Sequence, residues 1–314
     1  SEMCIRDRSY KNPVVDIAMP DPTVIKAADG YFYVYATEST RNVPIMKSKD
    51  LVEWTYCNTA FTNKTRPRFE PKAGIWAPDI NYINGKYVLY YAMSVWGGEQ
   101  TCGIGVATAN SPQGPFTDHG KMFRSNEIGV QNSIDPSLLQ YEGRNYLVWG
   151  SFRGIYVIEL TADGLSIMPG AKKKRIAGTA FEAVYIHKYG DYYYMFASIG
   201  SCCQGVKSTY KVVVGRSKKV WGPYKDKTGK PMLKNGYSLV IGANDHFVGN
   251  GHGSQIIRDD AGQDWLLYHG FLRSTPENGR ILLLDQIKWD QEGWPYVEGG
   301  SPSYETQKAP VFNN

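Results

Sequence analysis

The chain has 314 residues, of which 42% are apolar, with 23 Tyr, 11 Phe and 8 Trp and a formal charge of +5. Aromatic side chains pack well on pleated surfaces, so this composition favours strands, and the length suits a single all-β unit. The one dense basic run, Ala171-Lys172-Lys173-Lys174-Arg175, reads as a solvated turn without interleaved aromatics, and no apolar stretch reaches the roughly 18 residues of a membrane span, so neither nucleic acid nor membrane is an expected partner.

In chain order, Ser1 to Ser9 fit neither a strand pattern nor an apolar targeting core and are expected to be an unstructured remnant, leaving residues 10–314 as one domain. Five segments then repeat. Pro20-Asp21-Pro22-Thr23-Val24 leads to Gly30 and Tyr31-Phe32-Tyr33-Val34-Tyr35, and Pro78-Asp79-Ile80-Asn81 leads to Gly85 and Tyr87-Val88-Leu89-Tyr90-Tyr91. Ile134-Asp135-Pro136-Ser137 leads to Gly143 and Tyr146-Leu147-Val148-Trp149, and Phe181-Glu182-Ala183-Val184 to Gly190 and Tyr192-Tyr193-Tyr194-Met195-Phe196. The fifth unit runs from Gly251-His252-Gly253-Ser254 to Gly262 and Trp265-Leu266-Leu267-Tyr268.

Each unit reads as a short strand, a glycine-containing hairpin and an aromatic strand, with further strands such as Val212-Val213-Val214-Gly215 after it. A period of roughly 50–60 residues with four strands per unit is that of a propeller blade, so the predicted fold is an all-β, five-bladed β-propeller. Helical periodicity is nearly absent, which argues against a TIM barrel. A β-sandwich is the alternative, but it leaves the polar residue at the start of every unit unexplained.

In a propeller those starts converge at one end of a central channel, bringing Asp21, Asp79, Asp135, Glu182 and His252 together. Two carboxylates in opposite protonation states suit glycoside hydrolysis, one donating a proton to the leaving oxygen and the other activating water or attacking the sugar. Glu182, between Phe181 and Ala183-Val184-Tyr185, is expected to have its pKa raised by desolvation and to be the acid. Asp21, beside two prolines and not obviously desolvated, is expected to stay ionised as the base, with Asp135 orienting Glu182 and keeping it protonated; Asp79 is assigned to structure. His252 is either a metal ligand or a satisfied inner-strand histidine. Trp76, Trp96 and Phe152 either stack on sugar faces or pack the blades. His187, His246 and His269 lack a neighbouring nucleophile pattern, so a Ser-His-Asp mechanism is not expected. Five cysteines show no metal spacing; Cys202-Cys203 is a vicinal disulfide, a loop element or, by the plainest expectation, two buried thiols.

Trp76-Ala77-Pro78-Asp79, Asn132-Ser133-Ile134-Asp135-Pro136-Ser137, Trp149-Gly150-Ser151-Phe152, Cys202-Cys203-Gln204-Gly205 with Ser208-Thr209-Tyr210, Val214-Gly215-Arg216-Ser217 and Gly251-His252 together resemble glycoside hydrolase family 43 and, within it, the endo-1,5-α-L-arabinanases, from about Val14 to Tyr304. The resemblance implies a five-bladed propeller that hydrolyses α-1,5-linked L-arabinofuranosyl bonds with inversion, Asp21 being the base, Glu182 the acid and Asp135 the pKa modulator. It implies that Asn132, Ser133, Ile134, Ser151, Phe152 and Arg153 border the sugar beside the scissile bond; Trp76, Trp96, Gly97 and Arg280 complete the candidate sugar contacts. It further implies that His252 sits near a channel metal, usually calcium with water as its main ligand, and that Cys202-Cys203 lies in a loop near the cleft.

The expected partner is arabinan, or arabinoxylan, acted on by a monomer that is secreted or periplasmic after removal of an export signal, with cytoplasmic action on oligosaccharides as the alternative. Three positions depart from the family pattern: Pro20 stands where many endo-acting members have histidine, Val184 where a proline usually follows the acid, and Arg153 where tryptophan is frequent. They keep an exo-acting α-L-arabinofuranosidase or β-xylosidase as the alternative. A glycan-binding propeller without activity would lack Asp21 or Glu182, and both are present.

Overall fold

The structure is a computed structural model, and it describes residues 7–313. Five antiparallel sheets stand around one axis. Blade one is Thr23–Lys26, Phe32–Tyr35, Pro44–Ser48 and Thr55–Thr59; blade two is Gly74–Ile83, Lys86–Ser94, Gly103–Ala109 and Thr117–Arg124. Blade three is Ser137–Tyr141, Arg144–Trp149, Ile155–Leu160 and Lys174–Ala177; blade four is Glu182–Tyr189, Tyr192–Ile199, Lys211–Ser217 and Ser238–Ile241. Blade five takes Phe247–Gly251, Asp264–Leu272 and Ile281–Trp289 from the end of the chain and its outer strand, Val15–Ala18, from the beginning. Val15 pairs with Leu282, so this borrowed strand closes the ring.

Successive side chains of a strand point to opposite faces, and here both faces are covered by neighbouring blades. Tyr33 and Tyr35 enter the cluster shared with Ile75, Leu89 and Tyr91 of blade two, whereas Phe32 and Val34 enter the cluster shared with Leu267 and Leu282 of blade five. Three further clusters lie between blades two and three, three and four, and four and five. The core is thus five wedges between blades, which explains why the second strands are mostly apolar on both faces and do not alternate.

Ser9–Tyr10 pairs with Gln307–Lys308. The expected unstructured remnant therefore does not extend to Ser9; residues 1–6, where most of that expectation falls, lie outside the described residues.

Near the top of each inner strand one residue has a left-handed backbone: Asp21 (φ 54°), Ala77 (φ 41°), Asp135 (φ 58°), Ala183 (φ 54°) and His252 (φ 55°). Non-glycine residues seldom adopt this conformation, and five at matching places mark where each strand turns into the mouth of the channel. These five set the correct alignment of the repeat. The equivalent of Asp21-Pro22 in blade two is Ala77-Pro78, so Asp79 lies two residues deeper; in blade four it is Ala183, with Glu182 immediately before it.

Candidate active site

Four of the five left-handed residues donate their amide N–H to a side chain of the preceding blade. Ala77 N donates to Thr37 Oγ1 (2.7 Å), Ala183 N to Asp135 Oδ2 (3.1 Å), His252 N to Ser198 Oγ (2.9 Å) and Asp21 N to His269 Nδ1 (3.0 Å). Ser198 and His269 lie on second strands and Thr37 two residues past the end of one; the matching places in blades two and three fall on Ala92 and Gly150, whose side chains offer no acceptor. A buried N–H without a partner costs free energy comparable to a lost hydrogen bond, so these links fix the strained turns and aim their side chains.

The result is one cleft of about 670 Å³ whose wall contains Asp21, Asp135, Glu182 and His252. Asp21 is buried, contrary to the expectation that it would escape desolvation. Burial pushes its pKa upward, but the charges of Arg280 and then His252, with the hydrogen bond from His252, outweigh it and hold the carboxyl well below its ordinary value. Arg280 donates to Asp21 Oδ1 at 3.1 Å, His252 Nδ1 lies 3.0 Å from the same oxygen, and Thr37 donates to Oδ2 at 2.6 Å. An ionised Asp21 follows.

Glu182 is shifted in the opposite direction. Burial raises its pKa more than its donors, Ser151 (2.6 Å to Oε1) and the Tyr210 hydroxyl at Oε2, lower it. Burial, followed by the charge of Glu182, pushes Asp135 up to about 8. Asp135 is thus raised by burial and by Glu182, and Glu182 by burial and then by the charge of Asp21, the direction expected of it from the sequence. Tyr210 stays a neutral donor, its pKa driven upward by burial and then by Glu182.

The other expected residues divide clearly. Trp76, Trp96, Gly97, Asn132 and Ile134 line the cleft, as do Ser151, Phe152, Arg153 and Arg280. Trp96 is 78% exposed and tilts against Trp76 with ring centroids 5.7 Å apart, leaving an aromatic edge at the rim. Arg153 donates to both oxygens of Glu99 (3.0 and 3.2 Å), tying the rim of blade three to the loop that carries Trp96 and Gly97. Ser133 is a correction. It is fully buried behind the wall, where its hydroxyl donates to the Val130 carbonyl (2.7 Å) and accepts from the indole of Trp149 (3.0 Å). Asp79 is off the cleft as well: its carboxylate accepts from Leu138 N (2.9 Å), Asn81 (2.7 Å) and Gln255 (3.0 Å), a brace between blades two, three and five.

Thr37, Tyr210 and His269 are functional contacts that the sequence reading did not assign. Tyr210 was visible as part of Ser208-Thr209-Tyr210, and His269 as the one histidine closing an aromatic second strand. Cys202 and Cys203 form a vicinal disulfide, correcting the expectation of two thiols, and both line the cleft, as the family resemblance implied. Among the described residues no group of three or more His, Cys, Asp or Glu is placed to hold a metal, and His252 Nδ1 is engaged by Asp21. The side chains present therefore do not by themselves form a shell for a hard cation, which favours several oxygen ligands, and water would have to supply most of them.

Residues 10–295 match the family model described as Glycosyl hydrolases family 43. An extracellular endo-alpha-(1->5)-L-arabinanase of Bacillus subtilis is 37% identical over 290 residues, covering 88% of this chain and 86% of that protein. An extracellular exo-alpha-(1->5)-L-arabinofuranosidase of Cellvibrio japonicus is 36% identical over 307 residues, covering 88% and 86%. Among solved structures, an alpha-L-arabinanase of Cellvibrio cellulosa complexed with arabinohexaose superposes with a TM-score of 0.81 at 34% identity, over 90% of this chain and 95% of that one.

Proposed function

The chain belongs to glycosyl hydrolase family 43, and on that premise we propose that it hydrolyses α-1,5-linked L-arabinofuranosyl bonds of arabinan in a single displacement with inversion. The observation that carries this reading is two carboxyls on the wall of one cleft shifted in opposite directions: Asp21 lowered by Arg280 and His252, which lie against it, and Glu182 raised by burial. In the proposed step Asp21 removes a proton from a water that attacks the anomeric carbon, while Glu182 delivers its proton to the departing glycosidic oxygen. Asp135 orients the segment through Ala183 N and keeps Glu182 from ionising. The rim of Trp76 and Trp96 supplies a surface on which furanose faces stack. Sugar contacts by Asn132, Ile134, Ser151 and Phe152 belong to the same proposal.

The test is a time course on linear arabinan with product NMR. Mixed oligosaccharides early in the reaction and inverted configuration at the new reducing end support the reading; no hydrolysis, or retained configuration, overturns it. Exo action is the second reading, favoured by Pro20 and by the exo-acting relative at nearly the same identity as the endo-acting one. Arabinose as the sole early product would select it.

The extracellular relatives support a secreted enzyme, and a monomer is proposed. For calcium the support is a hollow of about 20 Å³ on the axis, bordered by His252, Asp79 and Asp135. A cation there would take His252 as its protein ligand and water for the rest. Metal analysis of the purified protein, with Tm before and after chelation, tests this.

A further inference from the structure

A second hollow, of about 340 Å³, adjoins the cleft on the blade-one side and is lined by Glu38, Arg41, Arg66, Arg68, Lys72 and Gly74, among others. The two share a wall. Thr37 and Trp76 face the cleft, while Glu38 and Gly74 face the hollow, and Glu38 fastens the wall by donating its N–H to the Ile75 carbonyl (3.1 Å) and accepting from Ile75 N (3.0 Å).

The charge in this hollow is unbalanced. Arg66 grips Glu38 with two bonds (2.7 and 2.9 Å) in a largely buried pair, so these two charges cancel. Glu70, the acid nearest in sequence to Lys72, is engaged by Arg124 at 2.5 Å. Arg41 donates only to the side-chain carbonyl of Asn63 (2.7 Å) and Arg68 to the Asn63 backbone carbonyl. Among the described residues Lys72 has no ion-pair partner. Three cations thus face a concave, solvent-filled space without a carboxylate to neutralise them.

We infer that this hollow is an outer subsite for an anionic sugar, a uronic acid residue in the same glycan as the scissile arabinan chain. The inference rests on the reading of the neighbouring cleft as an arabinan-cleaving site. A glycan meets a protein with hydroxyls and, where it carries charge, commonly with uronate carboxylates, and a guanidinium binds a carboxylate through two parallel hydrogen bonds. A chain running past Trp76 reaches Gly74 and then the cations, so the subsite would draw in arabinan that is still attached to an acidic backbone.

Two measurements test this. Trigalacturonate titrated into the wild-type protein is expected to bind, and to bind less tightly as salt rises from 0.05 to about 0.5 M, because screening weakens exposed charge pairs. No binding at millimolar trigalacturonate, or equal affinity for acetate, overturns the inference. This readout does not depend on hydrolysis, so it separates failure here from failure of the arabinanase reading, which inactivity on neutral linear arabinan would reveal. In the second measurement kcat/KM is compared on uronate-bearing and neutral arabinan. The double variant Arg68→Glu/Lys72→Glu is expected to lower the ratio of the two values about tenfold, corresponding to about 1.4 kcal/mol. An unchanged ratio overturns the inference, whatever happens to either rate alone.

Discussion

At Glu182 burial and hydrogen bonding pull in opposite directions, and burial prevails. Ser151 and Tyr210 both donate to the carboxylate, which favours its charged form, yet the pKa stays above the ordinary value; Asp21, Asp135 and His252 are the other charged groups that act on it. The general acid works only while protonated, that is, below its pKa. Glu182→Gln should lower kcat/KM on arabinan about a thousandfold, within the range of general acid catalysis. With an aryl arabinofuranoside, whose phenolate departs without a proton, the loss should be far smaller; equal losses on both substrates would remove Glu182 from the acid role. Tyr210→Phe deletes a donor to the charged form. The Glu182 pKa should rise further, and the alkaline limb of the kcat/KM profile should move to higher pH while the acidic limb stays in place. A shift to lower pH would show that the tyrosine acts elsewhere.

Each inner strand is apolar where it lies between blades and turns left-handed where it meets the cleft, so one element carries both packing and chemistry. Ala183 shows how closely these are joined: its φ of 54° and its bond to Asp135 set the direction of Glu182, the residue before it. A β-branched residue tolerates that backbone poorly. Ala183→Val should destabilise the fold by about 1–2 kcal/mol, the scale of left-handed strain for a residue with a Cβ. Activity should fall with it, whereas Ala183→Gly should stay near wild type in thermal and kinetic assays.

The same elements explain what was legible in sequence. The five aromatic second strands announced the blades, because residues buried on both faces leave an unbroken apolar run. The Pro-Asp pattern of Pro20-Asp21 and Pro78-Asp79, however, aligned Asp79 with Asp21, since backbone handedness is invisible in residue type and Ala77-Pro78 has no carboxylate to draw attention. Ser133 was misplaced for a related reason. It lies between two cleft residues, Asn132 and Ile134, but in a turn the side chains of neighbours diverge, and its hydroxyl went inward to Trp149. Thr37 and Ser198 carry no local signal at all, and His269 shows only as a histidine on an aromatic strand; the role of each depends on the next blade.

A ring of blades has one seam, and here it lies where Val15–Ala18 joins Ile281–Trp289. The seam is held by more than strand pairing. Asn12 is buried beside it, donating to the Leu284 carbonyl (2.9 Å), to Ser303 (3.1 Å) and toward Asp285 (3.3 Å), and accepting from Leu284 N (2.9 Å). Tyr10 adds a bond from its hydroxyl to the same Leu284 carbonyl (2.8 Å). These contacts join residues more than 270 positions apart, so they form only when the whole ring has closed, and no local signal in the sequence foretells them. Asn12→Ala leaves Leu284 N and part of the Asp285 and Ser303 shell without their partner inside the protein. The expected loss is about 1–3 kcal/mol, the cost of leaving buried polar groups unsatisfied, read as a lower denaturant midpoint at unchanged slope. Amide exchange should quicken first along Ile281–Trp289 and Val15–Ala18, because opening the seam exposes those strands before the inter-blade wedges separate. Uniform acceleration over all five blades would instead mean that the seam has no weaker opening of its own and that the ring unfolds as a single unit.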